Sequence, residues 1–544
     1  MHGPKIGTSP CESHTAASAR TRRPIPLLLV AVLVAAATLP GTARAQIAEA
    51  WLHATPVPNQ VTPFSARLEA MGDLEIAIED EQNRIDIYRY SDNPAGLFAD
   101  PDSSSLEQYS RYDQDREYYY GQLNAAQLRG SMVRINVRHG NDWTLGIDGS
   151  YGVVSANRHD LCPGPDDCRF IRDFDLPYPS DNVPVFGDRA ITGTVEVPRL
   201  LVTYSRPLLF RRLIVGGRFG YVNQAESRIV PIQYPLNSQL NSYHLEGGAL
   251  YDLLRGALSA RIGANLGWSS DKIVSKSQTA LSNDEYDWYR PLVWYSGQAL
   301  IHYGSWVHGI LDVRHRSYDG EDVGYINWAP QFYLNPLPAD NQTYNIFKYK
   351  WSALLSGLRR NEVSTRWMAD VRGTPLHVSA AWRYYREYEW FRPNDLVLPI
   401  GDPVDVRRLG YRVGGGLAID FPENRGVVAT EVHYARDHRI DYTGALPEIE
   451  PEEISYHLGA EYRALSWLPL RAGLVALRSN PDRLNGLPPV KGTRLTAGLG
   501  YDWAWLGTHL DLIWGHDHWS VPPGVVSAEV RSGDQVALVA RYVF

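Results

Sequence analysis

The stretch Arg494-Leu495-Thr496-Ala497-Gly498-Leu499-Gly500-Tyr501-Asp502-Trp503 changes character at every residue. Leu495, Ala497, Leu499, Tyr501 and Trp503 share one side, opposite Arg494, Thr496, Gly498, Gly500 and Asp502. A period of two belongs to a strand, whose successive side chains point to opposite faces. The pattern recurs along the chain. Leu258, Ala260, Ile262, Ala264, Leu266 and Trp268 oppose Arg261 and Asn265; Tyr456, Leu458, Ala460 and Tyr462 oppose His457, Gly459, Glu461 and Arg463. Arg134 to Arg138, Trp143 to Asp148 and Leu213 to Tyr221 alternate in the same way.

A soluble sandwich also alternates. Three features point instead to a transmembrane, antiparallel, up-and-down β-barrel. The segments reach the length of about 9–11 residues that a tilted strand needs to cross a bilayer. Many end in Tyr or Trp, as Trp382 with Tyr384 and Tyr501 with Trp503 do, and such rings suit the headgroup zone. The second face carries Arg, Asp, Glu, His and Gly, which a wet lumen satisfies and a dry core does not. Connections alternate between short (138–142, 206–211, 303–305, 373–374, 422–425, 464–466, 503–505) and long (155–190, 223–241, 391–407, 439–452, 479–491, 517–532). Strand starts fall near residues 130, 143, 191, 211, 241, 256, 291, 305, 322, 343, 362, 375, 408, 425, 453, 467, 492, 505 and 533. Nineteen is odd, and both termini are expected on one side of the membrane. Either a strand is missing within 105–128 or one start is false; the weakest lie in 322–333, broken by Pro330, and 343–359. The expectation is about 18 strands, in a range of 16 to 20.

Composition narrows the class further. The chain has 544 residues, 33 Tyr, 16 Trp and a net charge of −8, so it is not a nucleic-acid binder. Residues 1–45 read as an export signal: Lys5, Arg20, Arg22 and Arg23, an apolar run from Ile25 to Leu39, then small residues placed for cleavage after Ala45. That apolar run is shorter than the about 20 residues of a spanning helix, and no later stretch approaches it. Cys162 and Cys168 bracket Pro163-Gly164-Pro165 in the longest loop of an exported chain, so a local disulfide is expected. The chain ends on Val536, Leu538, Ala540, Tyr542 and Phe544 at alternate positions. This resembles the C-terminal strand that the barrel-insertion machinery reads in bacterial outer-membrane proteins, with Tyr542 and Phe544 as the assembly signal. The expected location is the outer membrane, with its lipid and that machinery as partners.

Residues 46–105 stand apart as an acidic segment ahead of the barrel, 106–544. It contains Ala70-Met71-Gly72, then Ile76-Ala77-Ile78-Glu79-Asp80, then Asn93-Pro94-Ala95-Gly96-Leu97. The segment resembles the mature N-terminus of FadL-like and PorV-like outer-membrane barrels. It departs from their pattern at Asp73-Leu74-Glu75, where the family prefers Gly and Ala, and carries extra residues from Arg84 to Asp92. The resemblance implies a plug within the barrel, with Met71, Gly72, Glu79, Asp80, Asn93, Pro94 and Gly96 as its marked residues. Glu79, Asp80 and Glu81 are expected to meet lumen arginines. Bottom-up, Asn93-Pro94-Ala95-Gly96 is a turn, because Pro fixes φ and Gly permits positive φ.

The chain carries no Walker loop, HExxH, GxSxG or EF-hand pattern. Gly414-Gly415-Gly416 lies inside an alternating stretch and marks curvature or a close approach rather than a phosphate loop. His516-Asp517-His518 and Asp319-Gly320-Glu321-Asp322 read as solvated loop and turn residues rather than metal sites. His244, His302, His433, His457 and His509 fall on inward faces, away from lipid, so a membrane-facing Ser-His enzyme is not expected and no cofactor is implied. By parity the lumen receives Arg134, Arg138, Arg218, Arg261, Arg366, Arg383 and Arg494 together with Glu431, Glu461, Asp502 and Asp511. These either form a salt-bridge network in a filled lumen or set the selectivity of a polar conduit. The resemblance implies a passive channel or transporter for a small, possibly hydrophobic, molecule. The alternative is a non-transporting barrel that anchors or shuttles a partner protein at the outer membrane.

Overall fold

The structure, a computed structural model, describes residues 65–79, 93–99, 104–119, 122–162, 187–208, 212–229, 236–278, 283–304, 306–328, 347–393, 404–442, 448–480, 483–484, 489–503, 506–520 and 528–543. Residues 1–45, expected to be an export signal, and Asp80, Glu81, Cys168 and Phe544 lie outside the described residues.

Two short helices, α1 (Ala66–Ala70) and α2 (Gly96–Ala99), precede eighteen strands. In chain order these are β1 Ser105–Tyr119, β2 Gln122–His139, β3 Trp143–Cys162, β4 Gly187–Leu208, β5 Leu213–Ile229 and β6 Leu236–Leu254. There follow β7 Leu258–Gln278, β8 Asn283–Tyr303, β9 Val307–Trp328, β10 Phe347–Asp370, β11 Leu376–Pro393 and β12 Val404–Asp420. The last are β13 Gly426–Asp441, β14 Glu452–Leu465, β15 Leu468–Asn480, β16 Val490–Trp503, β17 Thr508–Ser520 and β18 Ala528–Val543. Each strand pairs antiparallel with its sequence neighbours, and β1 pairs with β18 from Ser105 opposite Val543 to Tyr119 opposite Ala528. The sheet therefore closes on itself and leaves no edge, the condition for β-structure in a bilayer.

The count of eighteen corrects three of the expected starts. The start near 322 is the far half of β9, and those near 343 and 362 belong to one strand, β10. The strand missing from 105–128 is β1. These misreadings share a cause. Strands that project beyond the apolar belt keep their backbone ladder without needing an apolar face, so alternation fades while pairing continues. For the same reason Asp319-Gly320-Glu321-Asp322 lies within β9 and His516-Asp517-His518 within β17, rather than in loops. Cys162 is the last residue of β3.

The outward face is an apolar belt. Ile135, Phe219, Leu245, Leu266, Leu311, Leu417, Leu458, Leu495 and Leu538 point out, Leu266 at 61% exposure. No soluble surface carries such a continuous band. Aromatic girdles edge it. Toward the short turns Tyr303 meets Trp306 at 5.3 Å and Tyr501 meets Trp467 at 5.1 Å; toward the long connections Trp382 stacks on Tyr384 at 6.4 Å and Tyr411 nears Tyr434 at 5.8 Å. Two ladders lapse locally at prolines, which supply no N–H. The β4–β5 pairing skips Val197-Pro198, and the β8–β9 pairing skips Arg290-Pro291.

Candidate functional site

The inward face of the short-turn half receives the N-terminal segment. Ser65 caps α1 by accepting a hydrogen bond from the Leu68 amide at 3.1 Å. The helix stops after one turn because Gly72, at φ 81°, and Asp73, at φ 53°, turn the chain left-handed. Ala66 and Ala70 pack on Ile513, Ala537 and Val539, while Leu68, Met71, Leu74, Ala77 and Ile78 pack on Ala418, Val427 and Ala429. The apolar inward positions of β12, β13, β17 and β18 are thus explained by the segment that covers them.

At the turn, backbone meets wall directly. The Gly72 amide donates to Thr496 Oγ1 at 3.0 Å, and that hydroxyl donates to the Ala70 carbonyl at 2.9 Å. The Gly72 carbonyl accepts from His457 Nδ1 at 2.8 Å, which fixes that ring's tautomer and leaves Nε2 facing Ser455 Oγ at 3.0 Å. Such an approach requires glycine in the wall: a Cβ on Gly473 would overlap the Gly72 amide, and one on Gly459 the Met71 carbonyl. Within the triple glycine of β12, Gly416 serves the same purpose, since a Cβ there would sit 2.7 Å from the Ala77 side chain.

Glu431 makes the densest single contact. Its carboxylate accepts the amides of Glu75 at 2.9 Å, Ile76 at 2.8 Å and Ala77 at 2.6 Å, with His433 Nε2 at 2.8 Å. Glu431 is 1% exposed, so these donors replace its water. Around it a charge chain crosses the wall. Arg67 and Arg471 both reach Glu461, at 2.9 and 2.7 Å; Arg471 continues to Asp511, His509 bridges Asp511 and Asp502, and Arg463 reaches Asp502 at 3.6 Å. Arg494 pairs with Asp73 at 2.8 Å and Glu69 at 3.3 Å, and Arg412 with Glu75 at 3.2 Å.

Arg471→Ala should therefore destabilise the barrel, by less than the roughly 3–5 kcal/mol of a fully uncompensated buried charge, because Arg67 still reaches Glu461 and His509 still reaches Asp511. The denaturant midpoint of refolded protein in lipid vesicles reads this; an unchanged midpoint contradicts it.

The second seat lies on β3–β8 and β10. Asn93 donates from Nδ2 to the Ala249 and Ala264 carbonyls, both at 3.3 Å, and accepts the Ala95 amide at 3.0 Å. Asn93 and Ala95 are fully buried, and Ala95 with Phe98 packs on Ile214, Leu250, Leu300 and Met368. The Gly96 amide closes the turn on the Asn93 carbonyl at 2.9 Å, and Pro94 presses on Gly216, where a Cβ would stand 2.5 Å away.

The remaining residues picked out by parity also face inward. Arg134 pairs with Asp148 at 2.7 Å, Arg218 with Glu246 at 2.9 Å, Arg261 with Asp252 at 2.5 Å and Arg383 with Glu362 at 2.8 Å. Arg138 lies over the Phe98 ring at 5.0 Å, and Arg366 donates to the carbonyls of Ile76 and Ile78 at 3.1 and 3.2 Å. Glu79 meets His308, at 3.1 Å. Of the acids of the segment, Glu69, Asp73 and Glu75 meet arginines. Tyr542 stands in register between Leu106 and Thr508. Among the described residues no three His, Cys, Asp or Glu side chains are grouped to hold a metal.

These features define a closed transmembrane barrel with an N-terminal segment fastened to the inside of its wall. No family profile and no curated protein sequence matches the chain. Among solved structures it is similar to the Pseudomonas putida toluene transporter TodX, at 13% identity over 89% of this chain and 99% of that one, with a TM-score of 0.34. It is similar to the Ralstonia pickettii toluene transporter TbuX, at 11% identity over 89% and 99%, TM-score 0.36. It is also similar to the ferric yersiniabactin uptake receptor FyuA of Yersinia pestis, at 10% identity over 82% and 80%, TM-score 0.43.

Proposed function

We propose that this protein is an outer-membrane channel that passes a small molecule passively through the barrel, with the segment ahead of β1 acting as its plug. The observation that carries the reading is the two-sided fastening of that segment. Glu431, Thr496 and His457 hold its backbone on one wall, and Asn93 ties it to the opposite wall. A segment held by side-chain hydrogen bonds rather than by strand pairing can leave without opening the barrel. A barrel that served only as an anchor would have no use for such a releasable fastening. The small, possibly hydrophobic, cargo is what the resemblance of Met71-Gly72 and Asn93-Pro94-Ala95-Gly96-Leu97 to FadL-like barrels implies. The ladder lapses at Pro198 and Pro291 are the places where the wall would part most easily toward lipid. Export through residues 1–45 and a Cys162–Cys168 disulfide belong to the same reading. The test is conductance in a planar bilayer, comparing the full mature chain with a chain lacking residues 46–97.

A further inference from the structure

Toward the long connections, the inward face of β9–β13 carries a second charged zone. Register sets Arg316 opposite Arg360, Arg360 opposite Glu387, Glu387 opposite Arg408 and Arg408 opposite Arg439. This row across five strands holds four guanidinium groups and one carboxylate. The nearby acids, among them Glu389 beside Arg408 at 3.6 Å and Asp437 accepting from the Tyr385 hydroxyl at 2.7 Å, are already shared. Glu362 serves Arg360 at 3.1 Å and Arg383 at 2.8 Å; Glu387 serves Arg360 at 3.1 Å and Arg408 at 3.5 Å. Asp312 is taken by Arg314 at 2.5 Å. Arg316 makes no hydrogen bond or ion pair with a described residue; its charged neighbours are Arg314, Arg360 and Arg383 with the single carboxylate Glu362, which is already held by Arg360 and Arg383.

Across the ladder from Arg316 stands Trp294. Trp294 clusters with Leu292, Tyr318 and Leu358 on the same inward wall. A guanidinium fork with no carboxylate in direct contact among the described residues therefore borders an apolar, aromatic-rich surface.

We propose that Arg316, with Arg360 and Arg383 beside it, is the recognition site for a compact aromatic carboxylate. The planar guanidinium donates two parallel hydrogen bonds to a carboxylate, which an amide or a chloride ion cannot accept in the same way. The ring of the ligand lies toward Tyr318 and Leu358, and the excess of arginines attracts anions into the passage. The inference rests on the channel reading for transport but not for binding.

The experiment uses the full mature chain in a planar bilayer under a potassium chloride gradient, with benzoate and its uncharged isostere benzamide as probes. The expected reversal potential shows anion preference, and benzoate blocks the chloride current where benzamide does not. Arg316→Gln should raise the half-blocking benzoate concentration tenfold or more. Arg316→Lys, which keeps the charge and loses the fork, should keep the anion preference and lose most of the block. Arg425→Gln, at an exposed short turn, should change neither. Equal block of the native protein and Arg316→Gln, or block by benzamide as strong as by benzoate, overturns the site. Should Arg316→Gln fail to fold, Arg383→Gln is read in the same way. If the full chain carries no current, the channel reading loses support, and calorimetric titration of the detergent-solubilised protein decides the site alone. Benzoate binding that is lost in Arg316→Lys supports it, and absent binding overturns it.

Discussion

Replacing Glu431 by Ala should release residues 65–79 from the wall while the barrel stays closed. The substitution removes the acceptor of three successive amides and of His433 in a place without water. Hydrogen bonds to a charged group contribute about 1.5–3 kcal/mol each, and stranded buried donors add their desolvation. A loss of at least about 3 kcal/mol shifts the docking equilibrium more than about a hundredfold. The strand ladders do not depend on this side chain, so the far-UV spectrum should not change. Limited trypsinolysis in detergent reads the release at Arg67, which is held against Glu461 in the docked state. Glu431→Gln should fall between the two, because its amide oxygen still accepts. Cleavage of Glu431→Ala at the native rate would contradict the account.

Gly473→Val should have a comparable effect by a different route. Its Cβ would overlap the Gly72 amide, and the neighbour is backbone that is itself pinned by Thr496 and His457. Overpacking at a fixed contact costs about 1–3 kcal/mol, and no rotamer relieves it at Cβ. Once the segment leaves, the nearest remaining neighbour of the new Cβ is the Thr496 hydroxyl, which can rotate away, so the barrel itself tolerates it. Gly247→Val is the control, since a Cβ at Gly247 meets nothing within 4 Å. Trypsin cleavage at Arg67 should rise in Gly473→Val and stay native in Gly247→Val; equal rates in the two would count against the seat.

The faces of the strands were legible because a period of two assigns every residue to a side once one Leu is known to face lipid. Arg134, Arg218, Glu431, Glu461 and Asp511 could therefore be placed inward, and all are buried. Partners were not legible, since they depend on register between strands, which periodicity leaves open. Arg471 could be assigned to the lumen but not recognised as the bridge between Glu461 and Asp511. The clearest missed signal lies at Asp73-Leu74-Glu75. These acids depart from the Gly and Ala that FadL-like barrels prefer, and each is matched by an arginine, Arg494 for Asp73 and Arg412 for Glu75. The left-handed turn at Gly72 and Asp73 brings these acids to the wall. The inward glycines were visible as small residues, but what they accommodate became clear only with the segment in place. The outer ends of β9 and β10 were misdivided because strand pairing there continues without an apolar face.

The central claim, that the N-terminal segment closes a conducting barrel, is tested most directly by single-channel recording in a planar bilayer. The full mature chain and a chain lacking residues 46–97 are compared, with far-UV circular dichroism confirming equal strand content. Removal of the segment vacates both wall seats, at Glu431 and at the Ala249–Ala264 carbonyls, and should raise the conductance severalfold. Equal conductance in the two chains, with trypsin cutting Arg67 as freely in the full chain as in unfolded protein, would mean that the segment hangs outside the barrel and closes nothing.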